Sequence, residues 1–353
     1  MRLPADLVTP ALVVDADRMA ANIAAMATLA AERGLALRPH AKTHKCLPIA
    51  AQQLAAGARG LTVATVAEAE IFADGGAADL FVAYPVWADA ARGARLAALA
   101  ERTALRVGVD SAEGAAALAR AVPGLEVLVE IDSGHHRTGV APADAGAVAV
   151  AAERAGLRVR GVFTFPGHSY APGAPGAAAA DEATALRAAA DALGGAGIEA
   201  GERSGGSTPS AAHTGAEVTE LRPGVYVFGD AQQLELGTIG EDGIALVAAG
   251  TVVSRAPGRV VLDAGSKVLG ADRPAWASGF GRVPGHPDAR VVALSEHHAT
   301  VTWPTGPPPD LGEIVPVAPN HVCAAVNLAA DLVVCRNGAV ADTWPVAARG
   351  ANT

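Results

Sequence analysis

The stretch ALRVGVDSAEGAAALARAVPGLEVLVEI, residues 104–131, reads as strand, helix, strand. The runs 104–109 and 125–131 are short and β-rich, and 111–122 between them is Ala-rich with helical spacing. Asp110 or Ser111 stands where a helix wants an N-cap acceptor. Two β runs joined by a crossover helix are the unit of a parallel sheet, because parallel partners cannot be linked by a tight hairpin. The unit recurs: candidate strands at 36–39, 60–64, 80–84, 159–165, 202–205 and 225–228 bring the number to eight. Further helices are expected at 16–33, 66–75, 141–155 and 177–195, with Asp17 and Asp144 as acids near two of the starts. Eight parallel strands alternating with helices predict a (β/α)8, TIM-like barrel of the α/β class.

Around residue 236 the texture changes. Runs at 244–254, 258–263, 289–294, 313–317 and 332–340 are strand-like, separated by Gly and Pro turns, and helical spacing largely disappears. Pro304, Pro307, Pro308 and Pro309 exclude a regular helix or a central strand over 303–311, which is read as a loop of this domain. The expected division is a barrel over 12–235 and a C-terminal, mainly-β domain built from 1–11 and 236–353.

Composition narrows the function. With 353 residues, 51% hydrophobic and 18% charged, the chain can bury one or two cores and is not disordered. Lys plus Arg number 27 against 36 Asp plus Glu, and a net charge of −9 disfavours a nucleic-acid partner. No apolar run reaches the roughly 18 residues of a membrane span, and residues 1–10 do not resemble a signal peptide. Cys46, Cys323 and Cys335 are too few and too scattered for a disulfide framework, so a soluble protein of the reducing cytoplasm is expected.

Three polar clusters could carry chemistry. Arg38-Pro39-His40-Ala41-Lys42-Thr43-His44-Lys45 follows the first barrel strand directly, and strand C-terminal ends are where barrels place catalytic groups. A lysine held there beside other cations would have its amine pKa lowered enough to form a Schiff base with an aldehyde; the bland alternative is a solvated basic loop. Ser204-Gly205-Gly206-Ser207-Thr208-Pro209-Ser210 follows the seventh strand, where glycines let backbone N–H groups converge on an anion and hydroxyls add donors. It lacks a P-loop lysine, so the phosphate of a cofactor suits it better than a nucleotide, unless it is a plain Gly/Ser turn. In Pro319-Asn320-His321-Val322-Cys323 a strand would point His321 and Cys323 to one face, an imidazole and a thiolate suited to Zn²⁺, although each alone is more often a packed core residue.

Together these segments resemble the metal-dependent D-serine dehydratase and D-threonine aldolase branch of the pyridoxal-phosphate enzymes with the alanine-racemase-like barrel. The likeness runs nearly end to end, through Thr9-Pro10-Ala11-Leu12-Val13-Val14-Asp15, the Arg38 to Lys45 cluster, Ala64-Thr65-Val66-Ala67-Glu68-Ala69-Glu70 and Asp132-Ser133-Gly134-His135-His136-Arg137-Thr138-Gly139. It continues through Gly167-His168-Ser169-Tyr170, Arg222-Pro223-Gly224-Val225-Tyr226-Val227-Phe228-Gly229-Asp230, Asp263-Ala264-Gly265-Ser266-Lys267, Ser295-Glu296-His297-His298 and the His321 motif.

The resemblance implies a homodimer with pyridoxal 5'-phosphate in the barrel. Lys42 would carry the cofactor and act as base at the substrate Cα, with His168 and Tyr170 as cofactor contacts or a proton relay. Ser204, Gly205, Gly206, Ser207 and Thr208 would hold the phosphate. Arg137 would lie by the phenolic oxygen or the substrate carboxylate, and His40, Arg222 and Tyr226 complete the cofactor contacts. His321 and Cys323 would bind a divalent metal, zinc first with manganese or magnesium as alternatives. The racemases of the wider family lack the His-x-Cys pair, so the implied activity is that of a lyase on D-3-hydroxy amino acids. Dehydration of a D-serine-like small-molecule substrate to a 2-oxo acid and ammonia is favoured over retro-aldol cleavage, since aldolases of the branch tend to carry a carboxylate where Cys323 stands. Racemase and non-catalytic cofactor carrier are the remaining alternatives. Two departures stand out: His297 replaces an acid common in the family, and Arg222 stands where racemases place an arginine on the pyridine nitrogen.

Overall fold

The computed structural model describes residues 3, 4 and 6–353. It divides into two compact units, one of Met26–Lys42, Ala50–Gly224 and Ala351–Thr353, the other comprising the chain up to Ala25, Thr43–Ile49 and Val225–Gly350. In chain order the first elements are β1 (Ala11–Asp15), α1 (Ala16–Glu32), β2 (Ala36–Leu37), α2 (Leu47–Ala55), β3 (Leu61–Val63), α3 (Val66–Asp74), β4 (Asp79–Pro85) and α4 (Ala90–Ala100). Then come β5 (Ala104–Val109), α5 (Ala112–Ala121), β6 (Glu126–Glu130), α6 (Ala145–Ala155), β7 (Arg158–Phe163), α7 (Pro175–Gly195), β8 (Glu202–Gly205), β9 (Glu220–Leu221) and α8 (Ala231–Glu235).

Strands β2 to β9 form one sheet in the order β2-β9-β8-β7-β6-β5-β4-β3, with every pairing parallel. A parallel bridge between His40 and Thr62 joins the two ends, and the Thr62 hydroxyl donates to the Arg38 carbonyl at 2.9 Å, closing the barrel. The helices start as local chemistry demands. Thr65 caps α3 by accepting the Glu68 N–H, and the Glu68 carboxylate reaches back to the Ala64 N–H at 2.7 Å, a capping box that gives the Ala64 to Glu70 motif a structural role. Asp89 and Ser111 cap α4 and α5 by accepting the N–H groups of Arg92 and Gly114.

One end of the barrel interior is ionic. Arg38, with no exposed surface, donates to Glu220 Oε2 at 2.8 Å and to Asp79 at 2.6 and 3.2 Å, and Arg106 adds a contact to Asp79 at 2.8 Å and to Glu202 at 3.4 Å. Gly60 makes this possible, since a Cβ there would lie 2.5 Å from Arg38 Nη1. Above this layer Phe81, Leu128 and Phe163 pack together, the two rings edge to face at 5.0 Å.

The second unit holds β10 (Leu246–Ala256), β11 (Arg259–Leu262), α9 (Ser266–Leu269), β12 (Gly281–Val283), β13 (His286–Leu294), β14 (Ala299–Thr302), β15 (Ile314–Pro319), α10 (Val322–Leu328), β16 (Asp331–Arg336) and β17 (Ala339–Pro345). Its sheet runs β11-β14-β13-β12-β15-β10-β1-β16-β17, and β11 also pairs with β10, so six antiparallel strands form a closed circuit. The core of this sheet gathers Val13, Val247, Ala249, Ala318 and Cys335. No helix among the described residues is long and apolar enough to cross a membrane.

The TIM-like barrel and the mainly-β unit match the sequence reading, with several local differences. The eighth barrel strand is Glu220–Leu221, whereas 225–228, read as that strand, contains a 3-10 turn, Val225–Val227. The ladder to β8 is used up by Glu220, Leu221 and the Arg222 N–H, and Pro223 has no N–H to extend it. Helices α2, α4, α8, α9 and α10 and strands β12 and β14 have no counterpart among the expected elements. The run 332–340 is two strands folded at Asn337 and Gly338, whose φ values of +53° and +77° make the reversal. Finally β1, which the reading cut after residue 11, lies wholly in the β unit, antiparallel to β10 and parallel to β16.

Arg38 yields a stability prediction. Arg38→Met should cost about 3–5 kcal/mol, because Glu220 and Asp79 are left as uncompensated charges, one of them fully buried. Adding Glu220→Gln should restore part of the loss; denaturant midpoints of the three proteins check both statements.

Candidate active site

At the C-terminal end of the barrel, β2 delivers His40, and the single 3-10 turn Ala41–Thr43 carries the half-buried Lys42. Lys42 Nζ lies 5.5 Å from the centre of the Phe165 ring, and Arg137 Cζ lies 5.4 Å from the same centre. His135 meets that ring edge-on at 5.5 Å and Tyr170 lies 6.3 Å away, so the aromatic floor gathers two cations and two polar rings. Asp132 accepts the Gly134 and His136 N–H groups, which shapes the loop bearing Arg137; although burial opposes it, those bonds hold the Asp132 carboxyl down to about 2.

His40 sits at the convergence of three cations. Its N–H reaches the Pro223 carbonyl at 2.9 Å, while its Nδ1 is buried with no hydrogen-bond partner. Burial, followed by the positive charges of Lys42, Arg222 and Arg137, holds the imidazole well below its ordinary pKa, so the ring is neutral. Arg222 lies over Phe81 and Phe163 at 5.6 and 5.3 Å and donates to the Thr164 carbonyl, with its Nε left unpartnered. Burial pushes its guanidinium down to about 10 against the pull of Glu220, Glu182 and Glu130.

The glycine loop is held from below. Ser204, read as a phosphate ligand, spends its hydroxyl on Glu220 Oε1 at 2.7 Å inside the barrel. Gly205 precedes Gly206, which adopts φ +77° and gives its N–H to Glu182 Oε1 at 2.7 Å. Ser207 shares its hydroxyl with Ser169 and Ser210, both at 2.8 Å, and Thr208 is buried beside them in the chain. His168 sits on the turn Gly167–Ser169 with Nε2 at 3.3 Å from Asp181. Tyr226 belongs to the other unit, buried on the turn Val225–Val227.

That other unit also carries His321 and Cys323, and here the strand reading is corrected. Strand β15 ends at Pro319; His321 is the N-cap residue of α10, and Cys323 lies in its first turn. The helix follows once Pro319 has ended the ladder, with Ala324, Ala325 and Leu328 as its good helix formers. The two side chains still meet: the charge of Cys323 is the largest influence on His321, and with Asp230 it raises the imidazole well above its ordinary pKa against burial. Asp230 Oδ2 lies 3.5 Å from His321 Nδ1, and Cys323 Sγ lies 3.3 Å from the hydroxyl of Thr43. Among the described residues no group of three or more His, Cys, Asp or Glu is arranged to hold a metal, so a cation here would take two protein donors.

Phe165, Glu182, Thr43 and Asp230 were not singled out as site residues in the sequence. Phe165 ends a strand run and could have been found by position; Glu182, in the middle of an Ala-rich helix, offers no such signal.

Barrel and site define an enzyme of the alanine-racemase type. The family model for the alanine racemase N-terminal domain matches residues 14–232, and that for a putative serine dehydratase domain matches 245–335. The chain is 36% identical to a D-threonine aldolase of Arthrobacter over 360 residues, covering 97% of this chain and 93% of that one. It is 35% identical to the D-threo-3-hydroxyaspartate dehydratase of Delftia over 370 residues, 95% and 96% covered; that enzyme's structure superposes with TM-score 0.90 at 32% identity, over 98% and 99% of the two chains. A crystal structure of D-threonine aldolase from Filomicrobium marinum gives TM-score 0.89 at 33% identity over the full length of both. The chain belongs to this family, and it is a pyridoxal-phosphate-dependent lyase.

The residues in place fit that cofactor: an amine over an aromatic floor, three cations for phosphate and phenolate, and a buried unpartnered imidazole nitrogen. Borohydride reduction followed by peptide mapping should therefore find the pyridoxyl group on Lys42 and not on Lys45. Glu182 gives a pH signature. Burial lifts its carboxyl from 4.5 to about 7, so between these values the folded state holds a proton the unfolded chain has lost. Stability should fall as pH rises across that window, and Glu182→Gln should flatten the fall.

Proposed function

We propose that this chain dehydrates D-3-hydroxy amino acids of the D-serine type to a 2-oxo acid and ammonia, with a divalent metal held by His321 and Cys323. The observation that carries the reading is the start of α10, which sets an imidazole at its N-cap and a thiol in its first turn, a borderline-soft donor pair suited first to zinc, with manganese or magnesium as alternatives. A mutant of a D-threo-3-hydroxyaspartate dehydratase is known in a form described as metal-free, which supports a metal in the family.

Pyridoxal phosphate, when bound, supplies an electron sink for charge at Cα, and the metal supplies a Lewis acid for the Cβ hydroxyl. The protein supplies the rest. Lys42 holds the cofactor and takes the Cα proton; because it reaches the substrate from one side only, it selects one enantiomer, here D. Arg137, Arg222 and Lys42 provide the positive field that binds phosphate, phenolate and substrate carboxylate, while neutral His40 accepts or donates through its buried Nδ1. The loop of Gly205, Gly206, Ser207 and Thr208 borders the phosphate, its Gly206 and Ser207 N–H groups already given to Glu182 Oε1 and Ser210 Oγ, with Tyr170 beside Phe165 and Tyr226 as further cofactor contacts and His168 as a proton relay. A homodimer in the cytoplasm is the proposed setting.

Elimination is preferred to retro-aldol cleavage because cleavage needs a base for the hydroxyl proton. Asp230, the carboxylate 3.5 Å from His321, has both oxygens engaged by the N–H groups of Gln233 and Val322. The aldolase reading is retained on the likeness to the Arthrobacter and Filomicrobium enzymes. D- and L-serine, D- and L-threonine and D-threo-3-hydroxyaspartate assayed together test the proposal. The expected result is 2-oxo acid and ammonia from D substrates alone; glycine and acetaldehyde from D-threonine, with no pyruvate from D-serine, would overturn it. A chelator should abolish turnover, leave the reducible lysyl adduct intact, and be reversed by added zinc or manganese.

A further inference from the structure

Each of the two candidate metal donors faces one buried polar side chain that the proposed chemistry does not use. Asp230 is fully buried and rigidly held: Oδ1 accepts the Gln233 N–H at 2.9 Å, capping α8, and Oδ2 accepts the Val322 N–H at 3.3 Å. That second bond ties Asp230 to the residue following His321, and the same oxygen stands 3.5 Å from His321 Nδ1, which is itself buried without a hydrogen-bond partner. A carboxylate facing one imidazole nitrogen keeps the proton there and leaves the lone pair of the other free for a cation.

Thr43 plays the matching part for the thiol. It is buried, and its hydroxyl lies 3.3 Å from Cys323 Sγ, within reach of an S–H donating to oxygen. Once the sulfur is a thiolate it can only accept, and a hydroxyl can rotate to donate instead. The contact is held in place one helical turn further on, where Asn327 Oδ1 accepts from Lys45 Nζ at 2.8 Å. Residues 323 and 327 of α10 thus grip residues 43 and 45, and Lys45 is kept at φ +50°, a left-handed conformation that a lysine rarely adopts.

We propose that Asp230 and Thr43 are the outer-shell positioning residues of a His321–Cys323 metal centre, Asp230 fixing the imidazole tautomer and Thr43 donating to the thiolate from the position next to Lys42. The inference rests on the metal reading above. The test is metal affinity and the Co²⁺ spectrum of the holoenzyme, with cofactor absorbance and circular dichroism as controls for folding. Asp230→Asn keeps the α8 cap acceptor and should weaken Zn²⁺ binding 10- to 100-fold. Thr43→Val should shift the sulfur-to-cobalt charge-transfer band, and Thr43→Ser should restore it. Wild-type affinity in Asp230→Asn, or an unshifted band in Thr43→Val, overturns the corresponding assignment. A wild-type protein that binds neither Zn²⁺ nor Co²⁺ overturns the metal reading itself, whereas His321→Ala losing metal while both outer variants keep it overturns only this inference.

Discussion

The barrel depends on one buried guanidinium. Strand β2 contributes only two residues to the ladder, too short to be held by main-chain hydrogen bonds alone, and it is Arg38, clamped between Glu220 and Asp79, that fixes its direction. From there Pro39 and His40 run against Thr62 to close the ring, and Lys42 follows two residues later. A buried charge of this sort stabilises little by itself, since desolvation offsets most of the Coulombic gain, but it admits one geometry and penalises all others. Gly60 is part of the same constraint, since a side chain there would occupy the space of the guanidinium.

The barrel interior separates its charges by depth. At the end where Arg38 and Arg106 lie, each cation meets carboxylates at ion-pair distance. At the opposite end Lys42, Arg137 and Arg222 surround a neutral His40, and the acids that temper Arg222 act from beneath it. Like charges gathered in a low-dielectric pocket are costly unless an anion joins them. A doubly charged phosphate ester with an acidic phenol answers that need. The Glu182 carboxyl under the glycine loop is the counterweight: raised to about 7 by burial, it adds little repulsion toward such a ligand while still orienting Gly206.

The chain passes from one compact unit to the other between Lys42 and Thr43. Thr43, the residue after Lys42, belongs to the same unit as Lys45, Cys323 and Asn327. Helix α10 grips Thr43 and Lys45 through side chains one turn apart, Cys323 Sγ on the Thr43 hydroxyl and Asn327 Oδ1 on the Lys45 amine.

The sequence by itself determined the barrel, the β unit and the family. Crossover connections force parallel strands whatever the side chains, and the motifs around Lys42, Arg137, Arg222 and His321 stand in a fixed order along the chain. It also placed Lys42 correctly at a strand end, because strand ends are local. What it misjudged were features set by partners distant in the chain. Ser204 reads as a phosphate ligand until Glu220 takes its hydroxyl, and 225–228 reads as a strand until Pro223 ends the ladder before it. His321 and Cys323 meet across a helix start rather than along a strand, a geometry that periodicity cannot distinguish over three residues. Phe165 under two cations, Glu182 under the glycine loop and Asp230 behind His321 were decided by tertiary structure alone. Each acts on a residue reached only when the barrel closes or the sheet assembles, and a side chain's pKa and partners are properties of that enclosure, not of its neighbours in sequence.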